Sequence, residues 1–348
     1  MKLYTNPNVF FLIQDGNIIA WDYKNHNQFE IEKDYFERLL FLNPSQTVSA
    51  LTTIDEELLA GGLIDEKPFE TAAWGWDALS FIYHIGTQDV SNEEDITPEA
   101  WLERYIEVST LRTQEGPHIP SLSASEKFEL PPPNTEQLFQ RSYGDILQSR
   151  KTSRVFNGEP ILLEELSTLL FTTFGKFHGE WEELAQEGYK FEGFRRTSPS
   201  GGALHPVNPY VICYHVSGLT PGVYYYNSPD HSLSFVSEIP DYTSLSRTLC
   251  SQYFVEGIAV GIVFTGFFHK AWTKYTHSRS YKDIYLDCGH LSQTCLLTAT
   301  ALNLKTWITA WFSDSRLSSL LHISGIEVAP LAFIGIGHGT GHFIPQKK

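Results

Sequence analysis

Apolar positions change period several times along the chain. Near the start, Val9 to Ile13 and Asn17 to Asp22 are two extended runs flanking Gln14-Asp15-Gly16. Such runs around a glycine-containing turn predict a β-hairpin. Tyr35, Phe36, Leu39, Leu40 and Leu42 then recur at helical spacing. Ser45 to Ala50 and Asp55 to Ala60 predict two further short helices, the second closed by Gly61-Gly62. Two strands with about three small helices give residues 1–70 a winged-helix-like pattern. Trp74, Trp76, Leu79, Phe81 and Ile82 predict more helix within 71–110, and the proline- and serine-rich stretch ending in Pro131-Pro132-Pro133 predicts a linker or an arm along a surface. A domain boundary is expected near residue 134.

From about 135 the pattern alternates. Tyr143 to Ser149, Leu162 to Phe174 and the long Asp283 to Leu302 run have helical spacing. Tyr210 to His215, Gly222 to Tyr226, Gly257 to Thr265 and Leu331 to Ile336 are short apolar runs of strand length. This mixture predicts an α+β layered fold over 135–348.

Composition adds bounds. The 348 residues, 42% hydrophobic and 19% charged, suit a globular chain of about two domains. No apolar run reaches the roughly 18 residues of a membrane span, and Val9 to Ile13 is too short for a signal-peptide core, so a cytoplasmic protein is expected. Net charge is −16, which argues against nucleic acid as the main partner. Residues 1–134 hold 8 Lys/Arg against 23 Asp/Glu, and the remainder is almost balanced at 17 against 18. The acidity of the N-terminal part serves solubility or meets a basic partner such as a peptide. Cys213, Cys250, Cys288 and Cys295 form no paired framework and read as buried free thiols.

Three stretches carry candidate chemistry. Arg150, Lys151 and Arg154, with the hydroxyls of Thr152 and Ser153, match the oxygens of a phosphate; a solvated turn before a helix has the same composition. Arg195-Arg196 run into Pro199-Ser200-Gly201-Gly202, where backbone without side chains lets a flat anionic ligand approach and offers N–H groups to it, unless the stretch is only a connecting loop. Lys274 and Tyr275 are adjacent titratable groups in which the ammonium favours the phenolate, so that the tyrosine suits a base. The Gly335 to His342 string lacks a following helix, which excludes a dinucleotide-binding turn. Neither His338 with His342 nor Cys288, His290 and Cys295 has the spacing of a metal site, and His290 and Cys295 read as core-facing helix residues.

Together the three stretches resemble the nitroreductase-like superfamily of FMN flavoproteins, in particular the SagB-type peptide dehydrogenases. The family's phosphate motif, Arg-Arg-Ser-x-Arg-x-Phe, is similar to Arg150 through Phe156; its flavin-ring loop is similar to Pro199 through Leu204; its Lys-Tyr pair matches Lys274-Tyr275. The resemblance covers about 135–348. It implies an α+β nitroreductase-like FMN-binding domain behind the winged-helix-like module, which is expected to hold the leader of a precursor peptide or else to be a structural extension of a dimer. It implies FMN held by Arg150, Lys151, Thr152, Arg154, Pro199, Ser200, Gly201 and Gly202, with Ala310 and Trp311 beside it, no metal, and an FMN site shared across a homodimer. The implied reaction oxidises azoline rings of a modified precursor peptide to thiazole or oxazole: a base, Tyr275 assisted by Lys274, removes the Cα proton and a hydride passes to flavin N5. A cyclase is the further expected partner. Two alternatives remain open: reduction of dehydroamino acids or other activated double bonds with NAD(P)H, and an inactive peptide-binding scaffold for the cyclase. Two departures bear on the substrate. Ile308 through Phe312, with the bulky Trp311, stands where the family often has Pro-Ile-Gly-Gly-Phe, and His205 stands where an aromatic residue, commonly Tyr, is usual.

Overall fold

The computed structural model describes residues 1–70, 73–90, 97–100, 103, 127–182, 186 and 194–342. The chain divides into two compact units, Met1–Asp95 and Ile96–Lys348.

In the first unit, β2 (Val9–Gln14), β3 (Asn17–Asp22) and β4 (Asn27–Ile31) form an antiparallel meander. Its first turn is the expected hairpin: Asp15 and Gly16 both take positive φ, 51° and 87°, as a two-residue turn matched to strand twist requires. A second sheet places β1 (Lys2–Thr5) between β5 (Ser45–Thr47) and β6 (Ile64–Asp65). Helices α1 (Lys33–Leu42), α2 (Thr53–Ala60) and α3 (Ala78–Gly86) complete the described unit. Leu3, Ala20, Leu39, Leu42, Leu58 and Ile64 form its core. The helix expected over Ser45 to Ala50 is corrected: Ser45–Thr47 pairs with β1 as a strand and the rest is irregular. The β1 edge offers a ladder to a segment with no apolar helical stripe, and that pairing overrides local preference. The small helices and hairpin are present, but two three-stranded sheets replace the expected two strands.

The second unit is built on one antiparallel sheet of seven strands in the order β14-β15-β13-β9-β11-β12-β7. These are β7 (Lys127–Glu129), β9 (Val207–Cys213), β11 (Gly222–Asn227), β12 (Ser232–Ser237), β13 (Val260–Phe267), β14 (Lys305–Thr309) and β15 (Val328–Gly337). The short β8 (Ile161–Leu162) and β10 (Val216–Ser217) pair separately. Alternation along the strands divides the core in two. Val207, Val211, Tyr224, Tyr226, Ile262, Phe264 and Ile334 face one side; Tyr210, Ile212, Val223, Tyr225, Val263 and Phe333 face the other. The first side packs against α5 (Leu163–Phe174) and α8 (Ser280–Ala301), the second against α6 (Tyr242–Thr248) and α9 (Asp314–Leu320). Helices α4 (Tyr143–Ser149) and α7 (Phe268–Trp272) flank these layers. Covering both faces makes the central strands apolar throughout, which is why β9 and β13 read as continuous runs. Phe264, fully buried against Phe174 at 5.3 Å, is a keystone whose truncation to alanine costs about 3–5 kcal/mol.

Lys127–Glu129 lies within the stretch expected to be a linker or arm, yet it is the edge strand beside β12, and Leu130 is in the core. Most of the proline-rich stretch before it lies outside the described residues. All four cysteines are free, but Cys250 is exposed, correcting the expectation that all are buried. His290 is exposed as well, while Cys288, Leu291 and Cys295 are buried. Those three share the inward stripe of α8, and a 100° step per residue turns position 290 outward.

Candidate active site

The first cluster grows from the end of α4. The N–H of Arg150 closes that helix on Ile146 O at 2.9 Å. The chain then runs alongside β14 and the end of β15: Thr152 bridges Thr306, Ser153 N–H donates to Thr306 O (2.8 Å) and Arg154 N–H donates to His342 O (3.0 Å). These backbone bonds hold the cationic segment in one register. Lys151 extends past Gly341; a Cβ there would lie 3.5 Å from Lys151 Cε and 3.8 Å from Lys305 Cε, so two lysine chains meet at this glycine. The Arg154 guanidinium sits 5.1 Å from the Phe254 ring centroid. The Ser153 hydroxyl is fully buried and has no hydrogen-bond partner among the described residues. The orphaned Ser153 hydroxyl lies in the same segment as Arg150, Lys151 and Arg154, a donor set that suits the oxygens of a phosphate.

The second cluster joins two stretches 70 residues apart in sequence, by the count from Gly202 to Trp272. Gly201–Ala203 form a 3-10 turn in which Gly202 has φ 58°. A Cβ on Gly202 would lie 2.6 Å from Lys274 Nζ and 2.7 Å from the Tyr275 hydroxyl. Both polar ends therefore rest on the backbone of the glycine loop. Lys274 and Tyr275 follow α7, and their N–H groups both donate to Ala271 O, at 3.1 and 2.8 Å. The ammonium of Lys274 is 5.8 Å from the Tyr275 ring centroid.

Asp287 on α8, which the sequence pattern did not single out, anchors this loop. Its carboxylate accepts from the Ser200 hydroxyl and from Gly201 N–H. Burial raises the Asp287 pKa, opposed by the Ser200 and Gly201 bonds and by His290 and Arg196. The Ser200 Oγ also accepts from His205 N–H at 3.0 Å. His205 stacks on Phe194 with centroids 5.6 Å apart and donates from Nε2 to Phe194 O at 2.8 Å. Burial, aided by Arg196, lowers its pKa to about 3, so it is neutral. The imidazole thus fills an aromatic position and also supplies a donor.

The pair Arg195-Arg196 does not act as the opening cations of a ligand loop. Arg196 is buried, donates to Val207 O (2.9 Å), Asn208 Oδ1 (3.0 Å) and Ser228 Oγ (3.3 Å), and lies 5.4 Å from the Phe194 ring. Arg195 donates to His178 O and stands over Trp181. Both serve packing. Ala310 and Trp311 follow β14 and are exposed, Trp311 at 72%. Gln252 Nε2 donates to Trp311 O at 2.6 Å, which ties that loop to the segment carrying Phe254 and so to the ring beneath Arg154.

The glycine loop and the segment preceding α4 contact opposite halves of α8. Ser200 reaches Asp287, whereas Arg141, which also bonds Ser149 Oγ, donates to Thr300 O at 2.8 Å. The two contacts on α8 are separated by about 20 Å of helix.

The nitroreductase family pattern matches residues 147–338, more than half of the chain. The chain belongs to the nitroreductase family. MJ1384 of Methanocaldococcus jannaschii, named as a nitroreductase, is 26% identical over 61% of this chain and 97% of its own length. The trifolitoxin-processing protein TfxB of Rhizobium leguminosarum bv. trifolii is 30% identical over 43% of this chain and 42% of its own. This nitroreductase-family chain therefore spans less than half the length of that processing protein. A nitroreductase structure from Anabaena variabilis has the same fold, with a TM-score of 0.50 and 20% identity over 72% of this chain and 49% of the other. Among the described residues no helix is long and apolar enough to cross a membrane.

Proposed function

We propose that this nitroreductase-family chain is an FMN-dependent dehydrogenase that oxidises azoline rings in a ribosomally made, modified peptide to thiazole or oxazole. The observation that carries the reading is the convergence of Lys274 Nζ and the Tyr275 hydroxyl on Gly202, within a loop anchored by Asp287. Similarity to a toxin-processing protein supports a peptide substrate.

Arg150, Lys151, Thr152 and Arg154 hold the FMN phosphate, with the buried Ser153 hydroxyl as a further donor. Pro199, Ser200, Gly201 and Gly202 border the ring, and Ala310 and Trp311 border the opening. FMN bound there would supply a two-electron acceptor for the hydride leaving Cβ. Tyr275 takes the proton from Cα, and the charge of Lys274 favours the phenolate that does so. Two hydrogens leave the substrate as hydride and proton, and the ring gains one double bond and aromaticity.

The same reading takes the protein as a homodimer, with each FMN held between the two copies. The acidic first unit, with Phe11, Leu12 and Ile13 exposed on the edge strand β2, suits an extended basic segment of the precursor peptide, since strand addition needs main-chain partners more than a sequence motif.

The test is direct. Purified protein should release FMN on denaturation, and incubation with an azoline-containing peptide should lower the peptide mass by two hydrogens per ring. An FAD-containing protein would overturn the FMN assignment, and a flavin-loaded protein that leaves such peptides unchanged while NADPH reduces its flavin rapidly would replace this reading with a reductase.

A further inference from the structure

Helices α6 and α9 lie side by side on the second face of the sheet, and between them runs a shallow groove, open to solvent, of about 390 Å³. Its lining is Ser244, Arg247 and Thr248 from α6 and Ser315, Arg316 and Ser319 from α9. On α6 these positions are i, i+3 and i+4, and on α9 Arg316 and Ser319 are i and i+3, so each helix turns one polar stripe into the groove. Beneath the two helices Leu245 and Leu317 are fully buried and face the core. The Ser313 N–H donates to Thr248 O at 2.8 Å and pins the start of α9 to the end of α6, fixing the groove's width.

The groove contains two guanidinium groups and no lining carboxylate, in a chain of net charge −16. Among the described residues neither Arg247 nor Arg316 forms an ion pair. The nearest acid on α6, Asp241, interacts with Arg247 only at longer range, because its oxygens accept from Ser244 N–H (2.7 Å) and Ser244 Oγ (3.2 Å) at the helix start. Thr248 Oγ1 donates to Ser244 O. The Ser319 hydroxyl makes no hydrogen bond within the described residues, and Ser315 has only a long 3.4 Å contact with Ser313. Guanidinium forks with free hydroxyls match the oxygens of a phosphate.

We infer that this groove binds a phosphate monoester, its phosphate bridging Arg247 and Arg316 with Ser315 and Ser319 as further donors. The site is separate from the cationic segment at Arg150. It adjoins the loop carrying Trp311, whose carbonyl is bonded to Gln252 just beyond α6. A ligand anchored there by phosphate extends over that loop, as a phosphorylated dinucleotide or a smaller phosphate ester would.

The experiment titrates the FMN-saturated full chain with NADP+, NAD+ and inorganic phosphate by calorimetry at low salt, and repeats it with Arg247→Gln and Arg316→Gln. Each substitution should weaken phosphate-dependent binding about ten-fold or more, as loss of a charge-assisted bond predicts, and raised salt should weaken it in the parent protein. NADP+ binding well above NAD+ identifies a dinucleotide phosphate; inorganic phosphate binding with no preference between the dinucleotides identifies a smaller ester. Failure of all phosphate probes to bind at millimolar concentration, or equal binding by parent and both variants, overturns the site. Flavin absorbance of the same samples reports separately on the FMN reading, and both variants, altered at exposed positions, should keep the parent's flavin content and melting temperature.

Discussion

Gly202 shows how a single residue governs the candidate chemistry, because its missing side chain leaves room for two polar groups. Tyr275→Phe removes only the hydroxyl that rests there. If Tyr275 is the base, flavin content and melting temperature stay at the parent values while azoline oxidation falls by roughly 10²–10⁴-fold; unchanged turnover would remove Tyr275 from the mechanism. Arg154→Ala acts on the other cluster. It should release FMN on dialysis, with affinity lowered by about 1.5–3 kcal/mol, as read by flavin fluorescence of the filtrate. The residues named by these tests were legible in the sequence because they form compact strings. Asp287 was not, since a carboxylate inside an apolar helical stripe signals nothing until the loop that it anchors is folded against it. Arg196 misled for the converse reason: next to a proline-glycine loop it reads as a ligand cation, but its three acceptors, Val207, Asn208 and Ser228, are brought together only by β9 and the turn after β11.

At the scale of elements, the glycine loop is held from two sides, by α8 through Asp287 and by Phe194 through His205. His205 is neutral when folded, with a pKa of about 3 against 6.5 for an exposed imidazole. In the unfolded chain it takes up a proton below about pH 6.5. Its contribution to stability is therefore fully present above that pH and is lost as pH falls from 6.5 towards 3. His205→Gln keeps a donor without a titrating group, so its melting temperature should decline less steeply than the parent's between pH 6.5 and 4, as measured by thermal melts across that window. Parallel curves would show that His205 is not the source of the loss. Elements with strong periodicity, such as the β2–β3 hairpin, α5, α8, β9 and β13, are legible in the order of residues alone. Strand β14 is not, because Lys305–Thr309 follows directly on the long α8 and carries the same apolar character. Ser45–Thr47 goes the other way: short and weakly patterned, it takes its conformation from pairing with β1.

For the whole molecule, the two compact units allow the proposed peptide capture to be tested apart from the chemistry. A chain beginning at Ile96 keeps β7 and therefore the full seven-stranded sheet, whereas a cut at 134 would remove that edge strand. The shortened chain should retain flavin and oxidise a short azoline substrate at the parent rate, yet lose at least ten-fold in kcat/KM towards full-length precursor, with the difference shrinking at high salt. Equal kcat/KM would show that the first unit does not hold the peptide. The lone exposed thiol offers a way to examine assembly. Cys213, Cys288 and Cys295 are buried, and burial pushes the last two up to about 12, so they are protonated and shielded at neutral pH, while Cys250 stands at the surface just beyond α6. A maleimide spin label should attach at one equivalent per native chain without any cysteine being engineered away. A homodimer would then carry one label on each copy, and a pulsed-resonance measurement would return a single inter-label distance that a monomer lacks.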